Sequence, residues 1–216
     1  MTYYRRNLPH WHPQGKIIFL TWRLYGSLPK AYPGGIAISD CARDKRTGKR
    51  AGAPSQDWDK SFRFADAELD RAARGPLWLV DPEIADYAEY AILRGAELRR
   101  FELSAYVIMP NHVHVLLEPR VPLARITNGI KGAAARDANA TLGRTGKPFW
   151  QDESFDHWIR NAAEFERLRR YIEWNPVSAK LVAKPEDWKW SSASSHKTNF
   201  RGAGPRTARN GCATKR

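Results

Sequence analysis

Two histidines, His112 and His114, stand two residues apart in the apolar stretch YVIMPNHVHVLLEP, residues 106–119. Residues i and i+2 of a β-strand project from the same face, so both imidazoles would lie on one side, opposite Val113 and Val115. Neutral imidazole is a common ligand for divalent cations, and two of them could share one ion. The spacing alone leaves a metal site, a chance surface pair and a buried pair that donates to backbone carbonyls open, and it favours the buried pair.

A tyrosine and an asparagine, Tyr171 and Asn175, stand four residues apart in a segment that predicts a helix. Residues i and i+4 stack on one helix face, so the two side chains would point the same way. They would lie at the C-terminal end of the helix, where the partial negative charge favours a cation. The alternative is that Asn175 is only a helix stop before Pro176 and that Tyr171 is an ordinary one of the eight tyrosines.

Taken together, these segments resemble a known family of enzymes. The strand MPNHVHVLL and the helix RYIEWNPVSAKLV resemble the HUH-superfamily single-tyrosine transposases, in particular the REP-associated tyrosine transposases (RAYTs) of bacteria. The resemblance extends to YYRRNLPHWHPQGKIIFLTWRLYGSLP, GRTGKPFWQDESFDHWIRN and PEDWKWSSAS. It covers most of residues 3–194 and is weakest around residues 34–62. The combination of motifs is specific to the family, whereas His-x-His alone is not.

The resemblance implies a role for each of the four residues. His112, His114 and Asn175 would be metal ligands, and Tyr171 would be the nucleophile. Asn175 would replace the glutamine of the wider insertion-sequence transposases, which keeps a carboxamide oxygen but shortens its reach by one methylene. The helix is therefore expected to sit slightly closer to the metal. Mixed nitrogen and oxygen ligands with open positions suit Mg²⁺ or Mn²⁺ rather than a closed zinc site.

The resemblance also implies an activity. It predicts a metal-dependent endonuclease and strand transferase that acts on single-stranded, REP-type hairpin DNA through a covalent 5′-phosphotyrosine. One alternative is a domesticated protein that binds hairpin DNA or RNA without cleaving it, and another is a hydrolytic phosphodiesterase that forms no adduct. A monomer and a homodimer both stay open.

Basic and aromatic residues near the N-terminus are candidates for DNA recognition. In the family this region helps to recognise a short tetranucleotide at the foot of the REP hairpin. Arg5 and Arg6 could contact phosphates, and Trp11 could stack on an unpaired base. The alternative is a basic arm that packs on the sheet through its aromatic residues. The prolines that flank HWH, Pro9 and Pro13, disfavour a regular strand there, so no second metal site is predicted.

Two residues elsewhere have weaker signals. Lys131, in the segment GIKGAA, is a candidate phosphate contact on the second helix, and a solvated lysine is nearly as well supported. His157, in FDHWIRN, matches a position that the family often fills with histidine. It is predicted to be structural or to contact the substrate rather than to bind metal.

The composition favours a polyanionic partner. The 216 residues carry a formal net charge of +13, which points to nucleic acid first and to an anionic membrane second. No apolar run approaches the roughly 20 residues of a membrane helix, and the N-terminal segment shows no signal-peptide core. Two isolated cysteines, Cys41 and Cys212, form no CxxC pair, which favours a reducing, cytoplasmic setting. The resemblance to DNA transposases implies that the protein associates with the nucleoid there. The basic residues 195–216 predict a disordered tail that lies along phosphates or merely aids solubility.

Periodicity and capping signals place the motifs on elements. Strands are predicted at 16–24 and 155–159, and a strand–turn–strand unit is predicted around Pro110 and Asn111. Three helices are predicted, beginning at Asp81 with Pro82 in the first turn, near Leu123, and at Asn161 with an end before Pro176.

The order of these elements predicts an α+β fold for one domain, residues 1–194. We expect a ferredoxin-like antiparallel sheet with helices packed on one face, which the resemblance identifies with the HUH endonuclease and transposase fold. Residues 34–62, rich in Gly, Pro and mixed charge, predict a long loop or insertion within it.

Overall fold

The structure is a computed structural model, and it describes residues 2–5, 9–12, 15–28, 66–71, 75–152 and 154–194. The predicted insertion at 34–62 and the predicted tail at 195–216 lie outside the described residues. Within the described ranges, no helix combines the length and the apolar character that crossing a membrane requires.

A short hairpin and a larger sheet contain all the named strands. The hairpin pairs β1 (Thr2–Arg5) with β2 (Pro9–His12). The prediction that the flanking prolines disfavour a regular strand at His10–His12 is therefore wrong. Pro9 is the first residue of β2, where its missing N–H removes no bond from the interior of the ladder.

The larger sheet has four antiparallel strands in the order β4–β5–β3–β6. Its strands are β3 (Ile18–Arg23), β4 (Phe101–Ile108), β5 (His112–Pro119) and β6 (Phe155–Trp158). The helices are α1 (Pro82–Glu97), α2 (Leu123–Thr141) and α3 (Ala162–Ser178). Because α1 joins β3 to β4 and α2 joins β5 to β6, the order is the ferredoxin-like βαββαβ with α3 added at its end. The α+β class and the antiparallel sheet are confirmed.

Short turns complete the description. There are 3₁₀ turns at Trp78–Val80 and Pro185–Asp187. Residues 66–70 form a single helical segment, which we call segment 66–70.

The helices cover both faces of the sheet, so the expectation of one covered face is wrong for α3. Helices α1 and α2 share a core with Val113, Val115 and Leu117 of β5. Helix α3 packs on the opposite face, in a second core that includes Leu116. The reason is that β5 is buried on both sides, and a sheet with two apolar faces needs cover on each.

A β-bulge keeps the apolar residues of β4 on the correct faces. The register shifts between Leu103 and Ala105, which leaves Ser104 as an extra residue opposite β5. Phe101 and Tyr106 therefore reach the same core, shared with α1 and α2, although they stand five positions apart and would point to opposite faces of a regular strand.

Two helix starts follow the predicted caps. Asp81 accepts a hydrogen bond from Glu83 N–H at 2.9 Å, with Pro82 in the first turn of α1. Asn161 accepts one from Glu164 N–H at 2.9 Å at the start of α3. Both capped starts are confirmed, and they fix the entry of the chain into the two helices.

The predicted end of α3 before Pro176 is wrong, because the helix continues to Ser178 with Pro176 inside it. The proline removes one N–H donor, but the turn around it still closes through Ala179 N–H to Asn175 O at 2.9 Å and Leu181 N–H to Pro176 O at 2.9 Å. Pro176 is buried, and that packing outweighs the local preference of the residue before proline. Asn175 consequently lies on a regular helix.

Two glycines in helices offer a matched test of packing. A Cβ at Gly95 would lie 2.6 Å from Cε1 of the buried Phe101, whereas a Cβ at Gly132 would meet no atom within 4 Å. We expect Gly95→Ala to destabilise the protein by about 1–3 kcal/mol through overpacking. Gly132→Ala should stabilise it by about 0.5–1 kcal/mol because alanine restricts the unfolded chain. Urea unfolding of both variants measures this, and equal shifts in one direction would contradict the packing around Gly95.

Candidate metal and nucleophile site

Strand β5 places His112 and His114 on the face that α3 covers. Both side chains are fully buried, and their ring centroids are 4.7 Å apart. His112 Nδ1 lies 2.7 Å from Asn111 Oδ1, and His114 Nδ1 lies 2.7 Å from Thr21 Oγ1. With both Nδ1 atoms held at the edges of the site, both Nε2 atoms face its interior.

The hydrogen bonds of Asn111 determine which nitrogen of His112 carries the proton. Asn111 Nδ2 donates to the backbone oxygen of Leu69 at 2.9 Å, so its Oδ1 is the atom that faces His112. A carboxamide oxygen only accepts, and His112 Nδ1 must therefore be protonated, leaving the lone pair on Nε2. This is the tautomer that metal-binding histidines adopt.

Helix α3 brings Tyr171 and Asn175 to the same place. The ring centroid of Tyr171 is 5.8 Å from that of His114 and 6.4 Å from that of Phe19. Asn175 is buried one turn further along. The structure thus brings together the four residues predicted from the sequence, on the face of the sheet that α3 covers. Their chemical roles remain predictions.

Asp66, in segment 66–70, is a fifth member of the site that the sequence analysis missed. Its side chain is 1% exposed, and Oδ1 lies 3.2 Å from His114 Nε2 and 3.7 Å from His112 Nε2. Its Oδ2 accepts a hydrogen bond from the hydroxyl of Tyr171, and the Asn175 side chain hydrogen-bonds the same carboxylate. Asp66 and Asp70 stand four residues apart, and this i, i+4 acidic pair was the signal available in the sequence.

The charges of the site favour a bound cation. Burial, followed by the nearby His114, lowers the pKa of His112 to about 3, which keeps its imidazole neutral. Burial acts to raise the pKa of Asp66, but His114, His112 and Asn175 outweigh it and hold that pKa below its ordinary value. Burial and the charge of Asp66 raise the pKa of Asp70 to about 7. A buried carboxylate is stabilised best by a nearby positive ion.

The donor atoms fit a divalent metal. One ligand atom from each of Asp66, His112 and His114 lies within 4.8 Å of the others. In the part of the chain that the structure describes, His112 Nε2 and Asn175 Oδ1 are buried and meet no hydrogen-bond partner. Buried polar atoms without partners are rare in folded proteins, and a cation would satisfy both. Two imidazoles, a carboxylate and a carboxamide form a mixed nitrogen and oxygen set.

The remaining predicted residues lie outside this cluster. His157 Nε2 pairs with Glu164 Oε1 at 3.0 Å, and Glu164 Oε2 accepts from Arg160 N–H at 2.8 Å, which fits a structural role at the start of α3. Lys131 Nζ donates to the backbone oxygens of Gln151 and Asp152, at 2.7 and 3.0 Å. Its predicted phosphate contact stays a prediction. Arg6 and the side chains of Arg5 and Trp11 lie outside the described residues.

Known proteins are similar to this chain in the region of the site. Residues 78–175 match a family model described as "Transposase IS200 like". A REP-associated tyrosine transposase of Escherichia coli (strain K12) is 29% identical over 106 residues, which are 48% of this chain and 61% of that protein. The chain thus spans about three-fifths of that relative's length.

Two solved structures are also similar. A REP-associated tyrosine transposase bound to a REP hairpin is 20% identical with a TM-score of 0.49, and the alignment covers 88% of this chain and 82% of that one. A putative transposase from Deinococcus radiodurans R1 is 18% identical with a TM-score of 0.38, covering 74% of this chain and 91% of that one.

Proposed function

We propose that the chain, whose residues 78–175 match the family model described as "Transposase IS200 like", is a metal-dependent endonuclease and strand transferase acting on single-stranded, REP-type hairpin DNA. The observation that carries the proposal is the contact between the Tyr171 hydroxyl and a buried His–His–Asp cluster. The hairpin substrate is what the resemblance of the sequence motifs to the REP-associated tyrosine transposases implies, and a protein of that name from E. coli is similar to this chain.

Four side chains would hold the cation. His112, His114, Asp66 and Asn175 supply nitrogen and oxygen donors that suit Mg²⁺ or Mn²⁺. When bound, such an ion would neutralise negative charge on a scissile phosphate and make its phosphorus more electrophilic. Asn111 and Thr21 would orient the two imidazoles through their Nδ1 atoms.

Tyr171 would perform the covalent step. Its phenolic oxygen forms a bond to phosphorus, and the bond from phosphorus to the 3′ oxygen of the preceding nucleotide breaks. The phenol loses a proton and the leaving 3′ oxygen gains one, so the step neither releases nor takes up a net proton. The product is a 5′-phosphotyrosine, which conserves the phosphodiester so that another 3′-OH can reverse the step and join strands.

The test is covalent capture of DNA. The purified protein is incubated with Mn²⁺ and a single-stranded oligonucleotide that contains the hairpin and carries a label at its 3′ end. A 5′-phosphotyrosine retains the downstream fragment, so the labelled band should migrate with the protein in denaturing gels. Tight binding without cleavage would instead favour the non-cleaving hairpin-binding protein, and free labelled fragments without an adduct would favour a hydrolytic phosphodiesterase.

An exposed basic and aromatic surface lies beside the nucleophile on α3. Arg170 and Trp174 precede Tyr171 and Asn175 by one residue each, and the Arg170 guanidinium carbon lies 5.6 Å from the Trp174 ring centroid. Trp174 is 44% exposed, an unusual position for a large aromatic side chain. A single-stranded substrate would place phosphates near Arg170 and could stack a base on Trp174.

We expect Trp174→Ala to weaken binding of a single-stranded oligonucleotide by about 5- to 160-fold, which corresponds to the roughly 1–3 kcal/mol lost per stacked base. Fluorescence anisotropy with a labelled oligonucleotide measures the affinity at fixed salt. Leu98→Ala is the matched control, because Leu98 is also exposed, at 45%, but follows α1 on the other face of the sheet. Equal affinities for Trp174→Ala and wild type would remove this surface from the DNA path.

A further inference from the structure

The two carboxylate oxygens of Asp66 contact different parts of the site: one faces the histidine pair and the other faces the tyrosine. Oδ1 faces His114 Nε2 at 3.2 Å and His112 Nε2 at 3.7 Å. Oδ2 accepts the hydrogen bond from the Tyr171 hydroxyl. We propose that Asp66 is a positioning residue, which fixes the hydroxyl of the tyrosine beside the histidine pair and links metal binding to the placement of the nucleophile. The chemical meaning of this link rests on the function proposed above, whereas the contact itself does not.

The direction of the hydrogen bond supports a positioning role. An ionised carboxylate only accepts, so the Tyr171 hydroxyl uses its proton toward Asp66. The lone pairs of the phenolic oxygen then point away from the carboxylate, and a lone pair is what attacks phosphorus. The ring contacts of Tyr171 with His114 and Phe19 hold the ring but leave the hydroxyl torsion undetermined. The hydrogen bond to Asp66 constrains that torsion.

Asn111 connects segment 66–70 to His112 through a chain of hydrogen bonds. Asn111 Nδ2 donates to Leu69 O at 2.9 Å, and Asn111 Oδ1 lies 2.7 Å from His112 Nδ1. Leu69 is buried at 4% exposure, which anchors the segment by its apolar side. One asparagine in the β4–β5 turn therefore positions both a histidine ligand and the segment that carries Asp66.

The burial of Asp66 argues against a merely structural acid. A carboxylate that is 1% exposed carries a large desolvation cost unless polar partners surround it. Among the described residues, its partners are His114, His112, Asn175 and Tyr171, the four other members of the candidate site. A structural carboxylate would be expected to pair with Arg or Lys, or to cap a helix.

A double-mutant cycle in metal-free buffer tests the contact without DNA. We expect Tyr171→Phe to lower the equilibrium constant for folding by at least about fivefold in the wild-type background, because a hydrogen bond to a charged group is lost. In the Asp66→Asn background the same change should have less than half that effect on a logarithmic scale, since the amide accepts a weaker bond. Equal effects in the two backgrounds would overturn the proposed contact.

A spectroscopic signal separates positioning from general destabilisation. With ¹³Cζ-labelled tyrosine, the Tyr171 resonance is assigned by its absence in Tyr171→Phe. We expect that resonance to shift in Asp66→Asn and to stay in place in Glu68→Gln. Glu68 is the matched control, because it lies in the same segment and pairs with Arg71 rather than with the site. A Tyr171 resonance that is the same in Asp66→Asn and wild type would refute the positioning role.

The link to the metal has its own readout. We expect Asp66→Asn to weaken Mn²⁺ binding by at least about tenfold in electron paramagnetic resonance titrations of the protein alone, and Glu68→Gln to leave it within about twofold. At saturating Mn²⁺ and oligonucleotide, Asp66→Asn should still form adduct at least about tenfold more slowly than wild type, as expected for a misplaced nucleophile. Unchanged Mn²⁺ affinity in Asp66→Asn would overturn the metal contact, and an unchanged maximal rate would overturn the positioning.

Failure of the inference and failure of the proposed function give different results. If wild type forms no adduct, the proposed strand transfer is wrong, while the folding cycle, the ¹³C shift and the Mn²⁺ titration still decide the role of Asp66. If wild type forms the adduct and Asp66→Asn matches it in all readouts, the function stands and Asp66 is not a positioning residue.

Discussion

Tyr171→Phe is expected to abolish the covalent protein–DNA adduct, to below about one-thousandth of the wild-type amount. Phenylalanine keeps the ring that packs on His114 and Phe19, but it has no oxygen to attack phosphorus. The measurement is the labelled denaturing gel together with mass spectrometry of the digested adduct. In wild type, the mass of the attached nucleotide should lie on the peptide that contains Tyr171.

The same variant should still bind the hairpin, because the basic surface of α3 is unchanged. Its matched control is Tyr87→Phe, which removes a hydroxyl that contacts Glu83 and Thr141 on the face covered by α1 and α2. Tyr87→Phe should form adduct at the wild-type rate. An adduct of normal yield in Tyr171→Phe would assign the nucleophile to another of the eight tyrosines or to a different side chain.

Much of the site could be predicted because each half of it follows a local rule. The period of two in β5 places His112 and His114 on one face, and the i, i+4 spacing in α3 places Tyr171 and Asn175 together. The caps Asp81 and Asn161 are equally local, since each satisfies an N–H within three residues. The histidine strand and Tyr171 also lie within residues 78–175, which match the family model described as "Transposase IS200 like".

The side of the sheet that α3 covers could not be predicted in the same way. An amphipathic pattern identifies the buried face of a helix, but it does not say which face of a sheet receives it. In β5 the residues Val115 and Leu116, which point in opposite directions, are both fully buried. The residue pattern of the strand is therefore compatible with a helix packed on either face of the sheet. The expectation of helices on one face failed at this point.

The sequence analysis missed Asp66 because its contacts with the site are all with residues that lie far from it in the sequence. It lies 105 residues before Tyr171 and belongs to a short helical segment. The sequence around that segment shows little hydrophobic periodicity. No periodicity relates segment 66–70 to β5 or α3, and only the folded chain brings its carboxylate to the histidines. Pro176 in α3 shows the opposite error. The residue before a proline usually leaves the helical conformation, but the burial of Pro176 keeps Asn175 helical.

Removing the histidine pair is expected to have the second large effect. We expect His112→Ala and His114→Ala each to weaken Mn²⁺ binding by at least about a hundredfold, since loss of a direct ligand should exceed the roughly 10- to 100-fold effect of losing an outer hydrogen bond. Both variants should also lose DNA cleavage, as should wild type in the presence of a chelator. Calorimetric titration with Mn²⁺ gives the affinity, and the adduct assay gives the activity.

His157→Gln distinguishes a metal site from a general need for buried imidazoles on this side of the sheet. His157 is also buried, but its Nε2 pairs with Glu164 rather than with Asp66. Its replacement should therefore leave the Mn²⁺ affinity within about twofold, although it should lower stability by roughly 1–3 kcal/mol by disturbing the buried contact with Glu164. If cleavage by His112→Ala in chelator equalled that of wild type, the histidines would be structural. The orphaned His112 Nε2 and Asn175 Oδ1 would then require water rather than a cation as their partner.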